Sequence, residues 1–232
     1  GKRWCFRVNN FFSTPMYYWG TFLHHRKRIF MERKKLNTRT IVMAAMLGAI
    51  ASVLMFVEFS VPFAPPFVKF DLSDLPVLLA GFLFGPALGS VTAVIKILLK
   101  LIIKPTSTMF VGELSNLILS ITFMLVAAIF YRQHKTRKGA AIGMLVATIV
   151  TSLIALLSNY FVIFPMYAKL FGMTMESIVK MVMAVNPAVH NVFTMFICSL
   201  LPFNLFKYGV ISLITFFIYK KISVILKKYM IK

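Results

Sequence analysis

RTIVMAAMLGAIASVLMFVEFS, residues 39–60, decides the fold. Between Arg39 and Glu58 it carries no charge. About 20 predominantly apolar residues cross the hydrocarbon layer of a bilayer, so this stretch is long enough to span one. Similar runs follow at roughly 75–92 (LPVLLAGFLFGPALGSVT), 92–104 (a shorter one ending ILLKLIIK), 110–131 (FVGELSNLILSITFMLVAAIFY), 140–165 and 202–222. Six runs predict an all-α integral membrane protein, a bundle of six transmembrane helices.

Composition agrees. The chain is 59% hydrophobic and 14% charged, with mean hydropathy +0.84. A soluble domain carries about 25% charge. The formal net charge of +20 raises nucleic acid as a partner, but the basic residues stand at the termini and in one short loop, not on an aromatic-studded face. They cluster at 26–39, 132–138 and 220–232. With six spans all three regions fall on one side, and the positive-inside bias makes that side the cytoplasm, with both termini there.

The expected organisation is a basic, aromatic leader at 1–37, a membrane domain at 38–224 and a basic cytoplasmic tail at 225–232. The leader lacks an apolar core followed by a small-residue cleavage site, so it does not read as a secretory signal. Met31 within it is a candidate start. Residues 174–201 are expected as a helix in the outer loop or a partial insertion, with a break at Asn186-Pro187.

Glu58, Asp71, Asp74, Glu113 and Glu176 are five of only six acidic residues, and all fall toward the outer ends of the spans. Ionisable groups near a bilayer are costly, and are usually functional or paired. Asp71 and Asp74 flank the start of the second span, where the expected role is helix capping ahead of Pro76. Lys96, Lys100 and Lys104 repeat every four residues and share a helical face. Lys104 is expected to snorkel outward, Lys100 partly to follow, and Lys96 to pair with a carboxylate or backbone carbonyls.

Glu113 and Asn116 in GELSN, Asn159 and Tyr160 in the fifth span, and Asn204 and Lys207 in the last stand at a similar depth. Together they suggest a pocket open to the outside, although helix–helix hydrogen bonding explains any one of them. On the first span Ala44, Ala45, Gly48 and Ala49 have the spacing that lets another helix approach closely. That helix is either a neighbour in the bundle or a separate protein.

The excluded chemistries narrow the function. There is no GxxxxGK[ST] phosphate loop, no spacing that links nucleophile to base and no metal-site spacing among the four histidines and two cysteines. A membrane enzyme acting on a lipid or isoprenoid is the alternative class, but it would need paired carboxylates of the DxxxD kind, and none is present. A ligand-free scaffold is a third.

VKFDLSDLPVLLAGFLFGP (68–86), FVGELSNLILS (110–120) and PFNLFKYG (202–209) resemble the substrate-binding S subunits of energy-coupling factor (ECF) vitamin transporters, most closely the riboflavin type. The resemblance covers about 38–224. It implies a six-helix fold in the cell membrane, with riboflavin bound near the outer face as a transported ligand rather than a cofactor, and no enzymatic activity. Carried onto this chain it points to Asn204 and Lys207 as donors to the ligand, and to Glu113 and Asn116 as polar lining. Phe63, Phe67, Phe70, Tyr160 and Phe161 are candidate aromatic walls. It assigns Ala45 and Ala49 to a contact with a transmembrane coupling subunit driven by two ATPase subunits. The loop after the first span, with Pro62, Pro65 and Pro66, is expected to cover the ligand. Membrane lipids are the remaining partner.

Overall fold

Helix α1, Thr38–Phe56, buries Ala44, Gly48, Ala51, Ser52 and Met55 and exposes Ile41, Val42, Met46, Ile50 and Val53. Small residues inside and large apolar residues outside invert the pattern of a soluble helix. They suit a helix whose outer face meets lipid and whose inner face needs close backbone approach. The structure, a computed structural model, describes residues 37–65, 68–106, 108–172 and 174–230, with side chains described as far as Tyr219. The expected leader, apart from Asn37, and the side chains of the expected tail lie outside the described residues, as does Phe67.

After α1 a two-residue antiparallel ribbon, β1 (Phe59–Ser60) and β2 (Lys69–Phe70), pairs Phe59 with Phe70. Helices α2 (Asp74–Phe84), α3 (Pro86–Ile103), α4 (Val111–Gln133) and α5 (Arg137–Ser158) follow. A π-helical turn, Asn159–Ile163, joins α5 to α6 (Phe164–Phe171). Helix α7 (Met175–Met183) precedes α8 (Val192–Met195), and a second π-helical turn, Phe196–Leu200, leads into α9 (Leu201–Met230). Among the described residues five helices are long and apolar enough to cross a membrane: Thr38–Phe56, Pro86–Ile103, Val111–Gln133, Arg137–Phe171 and Val192–Tyr219.

The second expected span is therefore shorter than its apolar run. Gly85, at φ +96°, stands in the backbone region that favours glycine, and Pro86 opens α3, so the helix stops at Phe84 and the third begins at Pro86, ahead of the expected start at 92. The turn between α2 and α3 is Gly85 alone. Helix α2 has 11 residues, about 16 Å of rise, roughly half the hydrocarbon thickness. It packs against α1, α3, α4 and α9, and its residues from Pro76 to Phe82 are all buried. A Cβ on Gly89 would come within 2.9 Å of Gly81 Cα and 2.5 Å of Met124 Sδ, so the α2–α3 hairpin closes only with glycine there.

The last two spans are longer than expected. Residues 192–201 are helical and run on into α9, so that Val192–Tyr219 is a single stretch long and apolar enough to cross a membrane. Each long helix carries a proline two residues past its π turn, Pro165 and Pro202. Proline removes a backbone donor and crowds the carbonyl four residues earlier, and π turns are a common site of such adjustment. The carbonyl of Cys198, four residues before Pro202, accepts from Asn186 Nδ2 at 3.1 Å.

Three apolar clusters fix where a site can form. One surrounds α2 with Leu78, Phe82, Phe123, Met124, Tyr208 and Ile211. A second joins α6, α7 and the second π turn through Ile163, Tyr167, Ile178, Val182 and Leu200. A small third one, Ala64, Phe70 and Phe203, seats the 57–73 connection on α9.

Candidate functional site

A cavity lies where these clusters meet. Its lining draws on the α1–α2 connection (Glu58, Lys69, Asp71), the end of α3 (Lys100, Lys104), the start of α4 (Thr108, Glu113, Asn116), the first π turn and α6 (Asn159, Ile163, Tyr167), and α9 (Phe203, Asn204, Lys207, Tyr208). Because α2 begins only at Asp74, the connection fills the place of its missing outer turns and carries Asp71 into the bundle.

Two buried lysines organise the charge. Lys96, fully buried, donates to Asp74 Oδ1 at 2.7 Å, Asn116 Oδ1 at 2.7 Å, Ser120 Oγ at 2.5 Å and Ser73 Oγ at 3.1 Å. Ser120 Oγ also donates to Asp74 Oδ1. Lys207 donates to Asp71 Oδ2 at 2.8 Å and lies 3.8 Å from Asp74 Oδ2. Neither aspartate caps α2. Asp71 Oδ1 accepts from the Ser73 amide at 2.8 Å and from the Ser73 hydroxyl, and α2 has no side-chain cap. The capping expectation is corrected: a buried ammonium attracts a carboxylate more strongly than free helix amides do. Burying the Asp71 carboxylate is costly, and the charges of Lys207 and Lys96 beside it offset that cost.

Nearer the mouth, Glu113 accepts from Lys100, from Thr106 Oγ1 at 2.9 Å and from Thr108 Oγ1 at 3.0 Å. Lys100 thus pairs rather than following Lys104 outward. Lys104, 58% exposed, lies 3.7 Å from Glu58, which also takes Lys69 at 2.6 Å.

The cavity brings together five of the expected residues: Glu113, Asn116, Asn159, Asn204 and Lys207. Asn159 and Asn204 each use one amide proton on the carbonyl four residues back, Ala155 at 2.7 Å and Leu200 at 2.8 Å. Tyr160 is not among the lining residues. It is 51% exposed and packs edge-on against Phe161 and Phe196, because Asn159 takes the inward position in the π turn. Phe161, 69% exposed, is likewise outside the lining. Phe63 is also outside it. Its ring meets Phe206 at 6.5 Å and its carbonyl accepts from Ser199 Oγ at 2.6 Å, so it anchors the connection to the last helix.

The sequence reading missed Asp71 as cavity lining, and Lys100 and Tyr167 with it. Lys96 and Asp74 form the layer directly beneath. A signal existed: two lysines deep in apolar helices need carboxylates, and the chain has few to offer. On α1 the two small-residue pairs part company. Ala44 and Gly48 are buried against α3, where a Cβ on Gly48 would stand 2.7 Å from Ile95 Cγ2; Ala49 is exposed and Ala45 half-buried. Among the described residues no three His, Cys, Asp or Glu stand together as a metal site.

Comparison with known proteins gives a consistent result. Residues 39–219 match the family described as ECF transporter, substrate-specific component. The riboflavin transporter RibU of Staphylococcus aureus (strain TCH60) is 32% identical over 199 residues, which cover 84% of this chain and 98% of that protein. The riboflavin transporter FmnP of Bacillus subtilis (strain 168) is 29% identical, covering 81% and 94%. A solved structure of the S component of a bacterial ECF transporter superposes with a TM-score of 0.64 at 32% identity, covering 82% of this chain and 98% of that one.

Proposed function

The chain belongs to the family of ECF transporter substrate-specific components, and from that premise we propose that it is the riboflavin-binding subunit of a vitamin uptake system in the cell membrane. It captures riboflavin from outside and delivers it through a coupling module made of one transmembrane subunit and two ATPase subunits. The observation that carries this reading is the convergence of Asn116, Asn159, Asn204 and Lys207 on one cavity, in a chain that spans nearly the whole length of relatives named as riboflavin transporters.

The chemistry of the lining suits that ligand. Riboflavin has a flat, largely apolar ring and a ribityl chain with several hydroxyls. Leu119, Ile163, Tyr167 and Phe203 supply apolar wall, while three amides and an ammonium supply polar partners. Polar groups fix orientation in a site that is otherwise apolar. Glu113, already holding Lys100 and two threonines, lines the entrance.

Six crossings, with α2 and the connection before it counting as one, put the termini and the 132–138 loop on the cytoplasmic side. The leader at 1–37 and the tail at 225–232 flank the membrane domain there. The outward pair on α1, Ala45 and Ala49, is the docking face for the coupling subunit. The chain binds and releases without catalysis, and the energy comes from the partner ATPases. Purification from cells supplied with riboflavin tests this reading. The protein should carry flavin absorbance through size exclusion, and colourless protein that also fails to take up added riboflavin would refute it.

A further inference from the structure

Lys96 has 0% exposure at the centre of α3 and is absent from the cavity lining, yet it touches a residue that lines it. Asp74 alone would satisfy its charge. Its ammonium also reaches Asn116 at 2.7 Å, and this contact fixes an orientation. An ammonium has three donors and no acceptor, so the Asn116 atom facing it is the carbonyl oxygen. The NH2 arm of the same amide is thereby turned away from Lys96. Among the described residues no protein group accepts from it, while Asn116 itself lines the cavity.

We propose that Lys96 is a positioning residue that commits Asn116 to act as a hydrogen-bond donor into the cavity, so that the ligand atom docked against Asn116 is an acceptor. The orientation is locked because Lys96 cannot move. Asp74 on α2 and Ser120 on α4 take the ammonium's other two donors at 2.7 and 2.5 Å, and Ser73 Oγ stands at 3.1 Å as a shared acceptor. A site built to donate discriminates against a ligand that presents a donor there, because one of the two groups is left unpaired in a desolvated place.

The inference deepens the riboflavin reading and rests on it for the probe. Wild-type protein is titrated first, following the quench of flavin fluorescence; absence of binding there refutes the riboflavin reading itself. Asn116→Asp and Asn116→Leu are then compared. Asn116→Asp keeps the shape, satisfies Lys96 and presents an acceptor where wild type presents a donor. Its Kd for riboflavin should rise at least tenfold and at least as far as that of Asn116→Leu. Asn116→Asp binding like wild type, or clearly better than Asn116→Leu, overturns the proposal. The role of Lys96 is read from two charge-balanced pairs. Lys96→Met with Asp74→Asn leaves the Asn116 amide free to turn, and affinity should fall. Lys96→Gln with Asp74→Asn restores a donor toward Asn116 Oδ1, and affinity should recover toward wild type. Equal affinity in the two pairs overturns the positioning role. If neither pair folds, the Asn116 comparison decides alone.

Discussion

Lys207 and Asp71 are 136 residues apart in sequence and 2.8 Å apart in the structure. The ion pair ties the α1–α2 connection to the last membrane helix and forms part of the cavity lining. A second carboxylate oxygen, Asp74 Oδ2, lies 3.8 Å from the same ammonium and is buried with no hydrogen-bond partner among the described residues.

That arrangement predicts a confined effect for Asp71→Asn. Breaking a buried pair from one side normally costs about 3–5 kcal/mol, because the other charge is left bare. Here Lys207 can turn to Asp74, so the variant should stay folded while amides in 57–73 exchange faster. Hydrogen exchange by mass spectrometry, without ligand, checks this; faster exchange spread through α3 and α9 would show that the ammonium has no second seat.

Much of the fold was legible because membrane helices need long apolar runs and basic residues mark their ends. The turn at Gly85-Pro86 was written in the sequence too, but the apolar run continues across it and hides the break. Residues 192–201 looked too short to matter because they were counted separately from the helix they begin. The polar lining was legible at Asn116, Asn159, Asn204 and Lys207, since amides and ammonium are scarce in such helices. Tyr160 and Phe161 were misplaced because a π turn inserts a residue, and ordinary helical periodicity cannot anticipate that. That Lys96 needs a carboxylate was legible, but which aspartate each lysine takes was not, because Asp71 and Asp74 pair across segments distant in sequence.

Asn204→Ala and Lys207→Ala should each weaken riboflavin binding by about 1–3 kcal/mol, roughly ten- to hundredfold. Isothermal titration on folded, detergent-solubilised variants measures this. Wild-type affinity in both would place the ligand elsewhere.

The two small-residue pairs on α1 should behave oppositely. Ala49→Trp adds bulk on an exposed face and should leave riboflavin binding intact while abolishing uptake in cells that carry the coupling and ATPase subunits. Ala44→Trp forces bulk into the α1–α3 contact, where Thr92 Oγ1 lies 3.3 Å from the Ala44 carbonyl, and should prevent folding. Loss of flavin binding in purified Ala49→Trp would assign that face to internal packing.

The connection should respond to ligand although its edge is anchored by Phe63 and by the Phe59–Phe70 pairing. Amides in 61–74 should become more protected when riboflavin is added, as expected of a segment that closes over its ligand. Equal protection with and without riboflavin would make it a fixed wall.

The most direct test of the central claim is an equilibrium titration of riboflavin into the purified chain alone, without coupling or ATPase subunits. The account predicts saturable quenching of flavin fluorescence with one riboflavin per chain, weakened at least tenfold by Asn204→Ala. Non-saturable quenching, or saturation unaffected by Asn204→Ala, would contradict it.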